Sequence, residues 1–146
     1  MAMQLSNDFL TARDWHRSVI GSQDMILRCR SALEHLQLFT GYLDQNPIEV
    51  YAKNPNNFEN IAYHVVDTFD DIEFISIDNV LCTSISQTVN DLLNDLDNID
   101  EQPLVEGLSK YYYTSGQSFD GLRINPENIG RFNLIKDWAI DYYNEV

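Results

Sequence analysis

Four prolines, six glycines and two cysteines in 146 residues leave little material for tight turns or cross-links. Scarce glycine and proline argue against an all-β sandwich or barrel, which needs many turns. Cys29 and Cys82 stand far apart within apolar patterns, which excludes a disulfide-framed mini-protein; both read as buried thiols. Positive charge is also short, with 9 Lys and Arg against 23 Asp and Glu, for a net charge of -14. Such a chain is repelled by nucleic acid and by anionic lipid, so neither is expected as a direct partner. No apolar run approaches the ~20 residues that cross a bilayer. Met1-Ala2-Met3-Gln4 lacks a basic segment leading into an apolar one, so no signal peptide is expected and the location expected is cytoplasmic.

What is present is a core. The hydrophobic share is 44% and the aromatic share 12%, unlike a disordered acidic chain. One domain over residues 1–146 is expected, burying roughly 68–70% of its unfolded surface. The apolar spacing predicts helices almost throughout. Ser6 or Asn7 caps the first, which Gly21 ends. A second runs from Met25 through Ile26, Cys29, Leu33, Leu36 and Phe39 to Tyr42 and Leu43. Asn46-Pro47 opens a short helix over Ile48, Val50 and Tyr51, stopped by Asn54-Pro55-Asn56-Asn57. Phe58, Ile61, Ala62, Val65, Val66 and Phe69 predict another. Ile72 to Ile77 partly alternates, but a lone strand has no visible partner, so a loop or helix start is expected there. Helices follow over Asp78–Asp97, from Pro103 through Tyr112, and from Pro126 through Tyr142. The fold expected is all-α, a compact globular domain of about six to eight helices.

The charge is unevenly spread. Between Asn54 and Ser109 stand twelve acidic side chains and no Lys or Arg. A face of one sign attracts the opposite sign and speeds encounter. Mixed charge would serve solubility with less self-repulsion, and a small domain needs only about -2 to -8 for it. Acids in the last turns of the Asp78–Asp97 helix oppose its dipole, which suggests another use for them.

Catalytic and metal patterns fail on inspection. Asp95, Asp97 and Glu106 occupy positions 1, 3 and 12 of a calcium loop. Ile99 and Asp100 stand where it needs an oxygen ligand and a glycine. His16, His35 and His64 have no second His or Cys at zinc-ligand spacing, and default to core-edge or surface positions. Gly116-Gln117-Ser118-Phe119-Asp120 lacks the second glycine of a nucleophile elbow, and no phosphate-binding loop occurs. No cofactor, no metal and no enzymatic activity are expected.

Tyr111-Tyr112-Tyr113 is a different signal. A helix turns only one or two of three consecutive tyrosines inward, and exposed tyrosine suits an interface. The stretch Leu108–Tyr113, a polar loop, Pro126-Glu127 and Ile129–Trp138 resembles the end of the nuclease-colicin immunity proteins. There, tyrosines on a short helix precede a proline-glutamate helix start and a tryptophan. The chain as a whole, small, acidic and rich in helix patterns, resembles bacterial toxin-immunity proteins of the colicin and contact-dependent growth-inhibition kind. The resemblance implies a protein that covers the basic substrate cleft of a nuclease toxin. Its acidic face would be Asp67, Asp70, Asp71, Glu73, Asp91, Asp95 and Asp97, with Tyr111 and Tyr113 adding contact area. Two alternatives stay open: a DNA mimic that inhibits a restriction or defence enzyme, and a small helical enzyme with a carboxylate site.

Overall fold

The computed structural model describes residues 11–21, 24–40, 47–56 and 58–142. Among these the chain forms five α-helices around a five-stranded mixed sheet, so the all-α expectation is overturned. The elements are α1 (Ala12–Ile20), β1 (Met25–Leu27), α2 (Cys29–His35), β2 (Ile48–Ala52) and β3 (Ile61–Val65). Then come β4 (Phe74–Ile77), β5 (Val80–Thr83), α3 (Ile85–Asn94), α4 (Gln102–Thr114) and α5 (Ile129–Tyr142). The sheet order is β3-β2-β1-β5-β4. The β1–β2 and β4–β5 pairs are antiparallel; β1–β5 and β2–β3 are parallel.

Four of the expected helices form in whole or in part: α1, α4, α5 and, within the helix expected over Asp78–Asp97, α3 from Ile85 to Asn94, the start of that stretch being β5 instead. Gly21 ends α1 at φ 58°, where its N–H reaches the Arg17 carbonyl at 2.8 Å. The expected start at Ser6 or Asn7 lies outside the described residues, and Thr11 caps α1 through a reciprocal box with Asp14. Pro103 sits in the first turn of α4, and Pro126 starts a 3-10 turn that runs into α5.

The remaining expected helices give way, in whole or in part, to strands. Met25 to Leu27 is β1, and the chain turns at Cys29 (φ 52°) into the short α2. Tyr42 and Leu43 lie outside the described residues. Ile48, Val50 and Tyr51 belong to β2. Ile61 to Val65 is β3, and Phe58 and Val65, two members of the supposed helical stripe, are exposed. Short apolar runs fit either period, and here pairing decides: Ile48 to Ala52 lies in register with Ile61 to Val65. Ile72 to Ile77 does supply a strand, β4. Its partner is β5, reached through Asp78 and Asn79 at φ 57° and 65°, a two-residue turn that matches strand twist.

Alternation along β2 divides two environments. Ile48, Val50 and Ala52 join Met25, Leu27, Ile61, Val80 and Cys82 beneath Ile20 of α1 and Ala32 of α2. Ile26 and Tyr51, directly paired, face the other way, toward α3. A second cluster is wholly helical. Cys29 and Leu33 meet Val89, Leu92 and Leu93 of α3, Leu104, Val105 and Leu108 of α4, and Phe132, Ile135 and Ala139 of α5. Each fully buried leucine there contributes about 1.5–3 kcal/mol. Helix α3 is therefore enclosed on nearly every side, with Ser86, Thr88, Asn90 and Asp91 buried beside its leucines. No helix among the described residues is long and apolar enough to cross a membrane.

Candidate functional site

The acid-rich segment folds into three places. Glu59 lies in the connection before β3. Asp67, Asp70 and Asp71 lie in the β3–β4 loop. Asp95, Asp97, Asp100 and Glu101 lie between α3 and α4. All eight are exposed. Few meet a base. Asp97 lies 3.9 Å from Arg131, Glu73 holds Arg123 at 2.6 Å, and Asp78 holds Arg17 at 2.6 Å. Glu59, Asp67, Asp70, Asp71, Asp95, Asp100 and Glu101 form no ion pair among the described residues.

Helix α3 connects two of these places. It leaves β5 at Ser84, crosses the sheet over Tyr51 and delivers Asp95 to the side of the sheet where its charge acts on His64, although burial keeps that imidazole lowered overall. Asp67 follows His64 by three residues, roughly 10 Å of extended chain. The C-terminal end of α3 and the start of the β3–β4 loop thus share the β3 side of the molecule.

The nine expected contact residues divide accordingly. Asp67, Asp70, Asp71, Asp95 and Asp97 are exposed acids. Glu73 is exposed but engaged: it accepts two bonds from Arg123 and one from Ser84, and these hold its carboxyl below the usual range. Asp91 is buried and so is absent from the surface. Tyr113 donates its hydroxyl to the Ile140 carbonyl at 2.6 Å, and Tyr111 packs its hydroxyl against Gly121. The Tyr112 ring meets Tyr113 edge-to-face and Phe119 at a tilt. All three tyrosines are half-buried, and they fasten α4 to α5 and to the following loop.

Asp91 belongs to a polar junction that sequence reasoning missed. Tyr51 donates its hydroxyl to Asp91 Oδ2 at 2.7 Å, and Gln87 donates to Oδ1 at 3.0 Å. The Arg28 guanidinium lies 4.7 Å from the centre of the Tyr51 ring, and His64 meets the same ring edge-on. Burial raises the Asp91 carboxyl, against the pull of Tyr51, Gln87 and Arg28. Burial likewise pushes the Cys29 thiol up to about 12 and raises Tyr51, where the Asp91 charge adds to the effect. Burial lowers His64, with Arg28 helping. Burial alone would lower Arg28, but Cys29, Tyr51 and Asp91 outweigh it and the net shift is upward. Such shifts mark reactive centres and structural ion networks alike. Here every partner is internal, and a thiol held at about 12 is no nucleophile at neutral pH. The junction's chemistry is to pin α3 across β2. Its one sequence trace is the four-residue spacing of Gln87 and Asp91, which puts them on one helix face.

A second buried polar group lies under α1. His16 Nδ1 and His35 Nδ1 are 3.1 Å apart, and His35 Nε2 is 2.8 Å from the Ile77 carbonyl. A carbonyl only accepts, so His35 carries its proton on Nε2 and receives a hydrogen bond from His16 at Nδ1. His16 Nε2 faces Glu34 Oε1 at 3.8 Å. Among the described residues no group of three His, Cys, Asp or Glu side chains is arranged to hold a metal ion. No described protein family, curated protein or solved structure matches the chain.

Proposed function

We propose that this chain is a cytoplasmic immunity protein that binds a cationic toxin, of the nuclease class, and covers its basic substrate cleft. The observation that carries this reading is the set of exposed acids from Glu59 to Glu101, most of which meet no base among the described residues. A nuclease cleft must be positive to hold phosphates, so it is the complementary surface. The acids are fixed to folded elements, Asp95 at the end of α3 and Asp67 just beyond β3, so little ordering is required on binding.

The test is association with purified cationic nuclease-toxin domains, measured by surface plasmon resonance from about 50 to 500 mM salt. Steered association exceeds the ordinary range of about 10⁵–10⁶ M⁻¹ s⁻¹ at low salt and slows steeply as salt rises. Toxin activity should be lost in the same complex. An on-rate that ignores salt, or a panel in which no toxin binds, sinks the proposal.

A further inference from the structure

Among the described residues, strand order leaves two sheet edges, β3 and β4. The hydrogen bonds of β3 can be assigned by parity. Ile48 N–H bonds the Asn60 carbonyl and Val66 N–H bonds the Ala52 carbonyl, so even-numbered residues of this segment face β2. Ile61, Tyr63 and Val65 therefore turn their main-chain groups away from the sheet. The Ile61 N–H closes a turn onto the Phe58 carbonyl. The N–H groups of Tyr63 and Val65, and the carbonyls of Ile61, Tyr63 and Val65, have no strand partner among the described residues.

Natural edges of this kind are usually blunted by lysine, proline or a covering element. Neither β3 nor its flanks hold a lysine, β3 holds no proline, and Val65 is 55% exposed. The flanks instead carry Glu59, Asp67 and, from α3, Asp95, all exposed and without ion pairs among the described residues. The opposite edge differs. The acids at the two ends of β4, Glu73 and Asp78, are occupied by Arg123 and Arg17.

We infer that β3 is an acceptor for an added strand, and that its occupant is an extended lysine- or arginine-rich segment of the basic partner proposed above. Main-chain bonds to Tyr63 and Val65 give the affinity, and the flanking carboxylates select positive side chains. This rests on the acidic-surface reading and specifies where on that surface the partner sits.

The probe is a synthetic peptide of alternating lysine and valine, about ten residues long, added to the full chain. A second peptide of the same sequence is N-methylated on every second amide, which keeps the charge and removes strand donors. The unmodified peptide should slow hydrogen exchange at the Tyr63 and Val65 amides, and the methylated one should bind about tenfold more weakly. Val65→Pro deletes an outward N–H outside the β2 ladder and should weaken the unmodified peptide by a similar factor. Equal binding of the two peptides, or protection along β4 instead, overturns strand addition. If such binding still falls on Asp67→Asn and Asp95→Asn, the acidic surface stands without the added strand. Binding indifferent to both acids removes both readings.

Discussion

Replacing Tyr51 with phenylalanine would remove one oxygen from the interior and leave the ring in place. The hydroxyl donates to a carboxylate that is 6% exposed, across 2.7 Å. Hydrogen bonds to charged groups are worth about 1.5–3 kcal/mol, and the Arg28 stacking on the ring survives the change. A loss of about 2 kcal/mol is therefore expected near pH 8, a large part of a stability of roughly 5–15 kcal/mol. The penalty should depend on pH. Asp91 is raised above its ordinary 3.8 by burial, so its ionisation costs stability as pH climbs through the folded value. Tyr51 counters that rise; without it the folded value goes higher and the cost of ionisation grows. The Tyr51→Phe penalty should thus be smallest in acid and full once Asp91 is charged. Urea unfolding of both proteins from about pH 5.5 to 8.5 measures this, staying above the isoelectric point of about 4.2. Asp91→Asn should reduce the effect of Tyr51→Phe, because a neutral side chain needs the hydroxyl less. A penalty below about 0.5 kcal/mol at pH 8 would refute the structural weight assigned to the junction.

Two further outcomes follow from buried polar groups. Asn90 donates to the Ser86 and Arg123 carbonyls at 2.9 and 2.8 Å and accepts from Asn125 N–H and the Asn128 side chain, so it moors the segment entering α5. Asn90→Ala should lower the urea midpoint by the equivalent of about 3 kcal/mol, since several buried groups lose partners at once; a loss under about 1 kcal/mol would argue against that mooring. Burial holds His35 below its ordinary 6.5, and a proton added at Nδ1 would meet the His16 N–H head-on across 3.1 Å. The unfolded chain takes that proton more readily, so stability should fall as pH drops through about 6.5 toward the folded value, by about 1.4 kcal/mol for each pH unit of lowering. An NMR titration of His35 with a midpoint at or above 6.5 would contradict this.

What the sequence disclosed and what it concealed differ in range. Gly21, Pro103 and Pro126 act on their own neighbours, so the ends of α1, α4 and α5 were readable. The strands were not, because a strand is completed by residues elsewhere. Phe58, Ile61, Ala62, Val65, Val66 and Phe69 keep helical spacing, yet β3 exists by pairing with β2. The alternation of Ile72 to Ile77 is visible in the sequence, but its partner is concealed in the apolar run that begins at Val80–Leu81. Asp78-Asn79 could have marked that hairpin. The exposed acids were legible from charge alone. Asp91 was not separable from them, because Tyr51, which draws it inward, lies 40 positions away.

The central position of β1 has a consequence for synthesis. This three-residue strand is flanked by β2 and β5, and Ile26 pairs with Leu81, about 55 positions later. Until Val80–Thr83 have left the ribosome, the apolar faces of α1, β1 and β2 have no completed sheet to close on. Loop closure of that length comes before its reward, which slows folding and keeps the chain open to chaperones and proteases while it grows. A truncated chain ending before Thr83 should be degraded rather than accumulate as a folded fragment, so the β1–β5 pair acts as a check that at least the first 83 residues are present before the sheet can form.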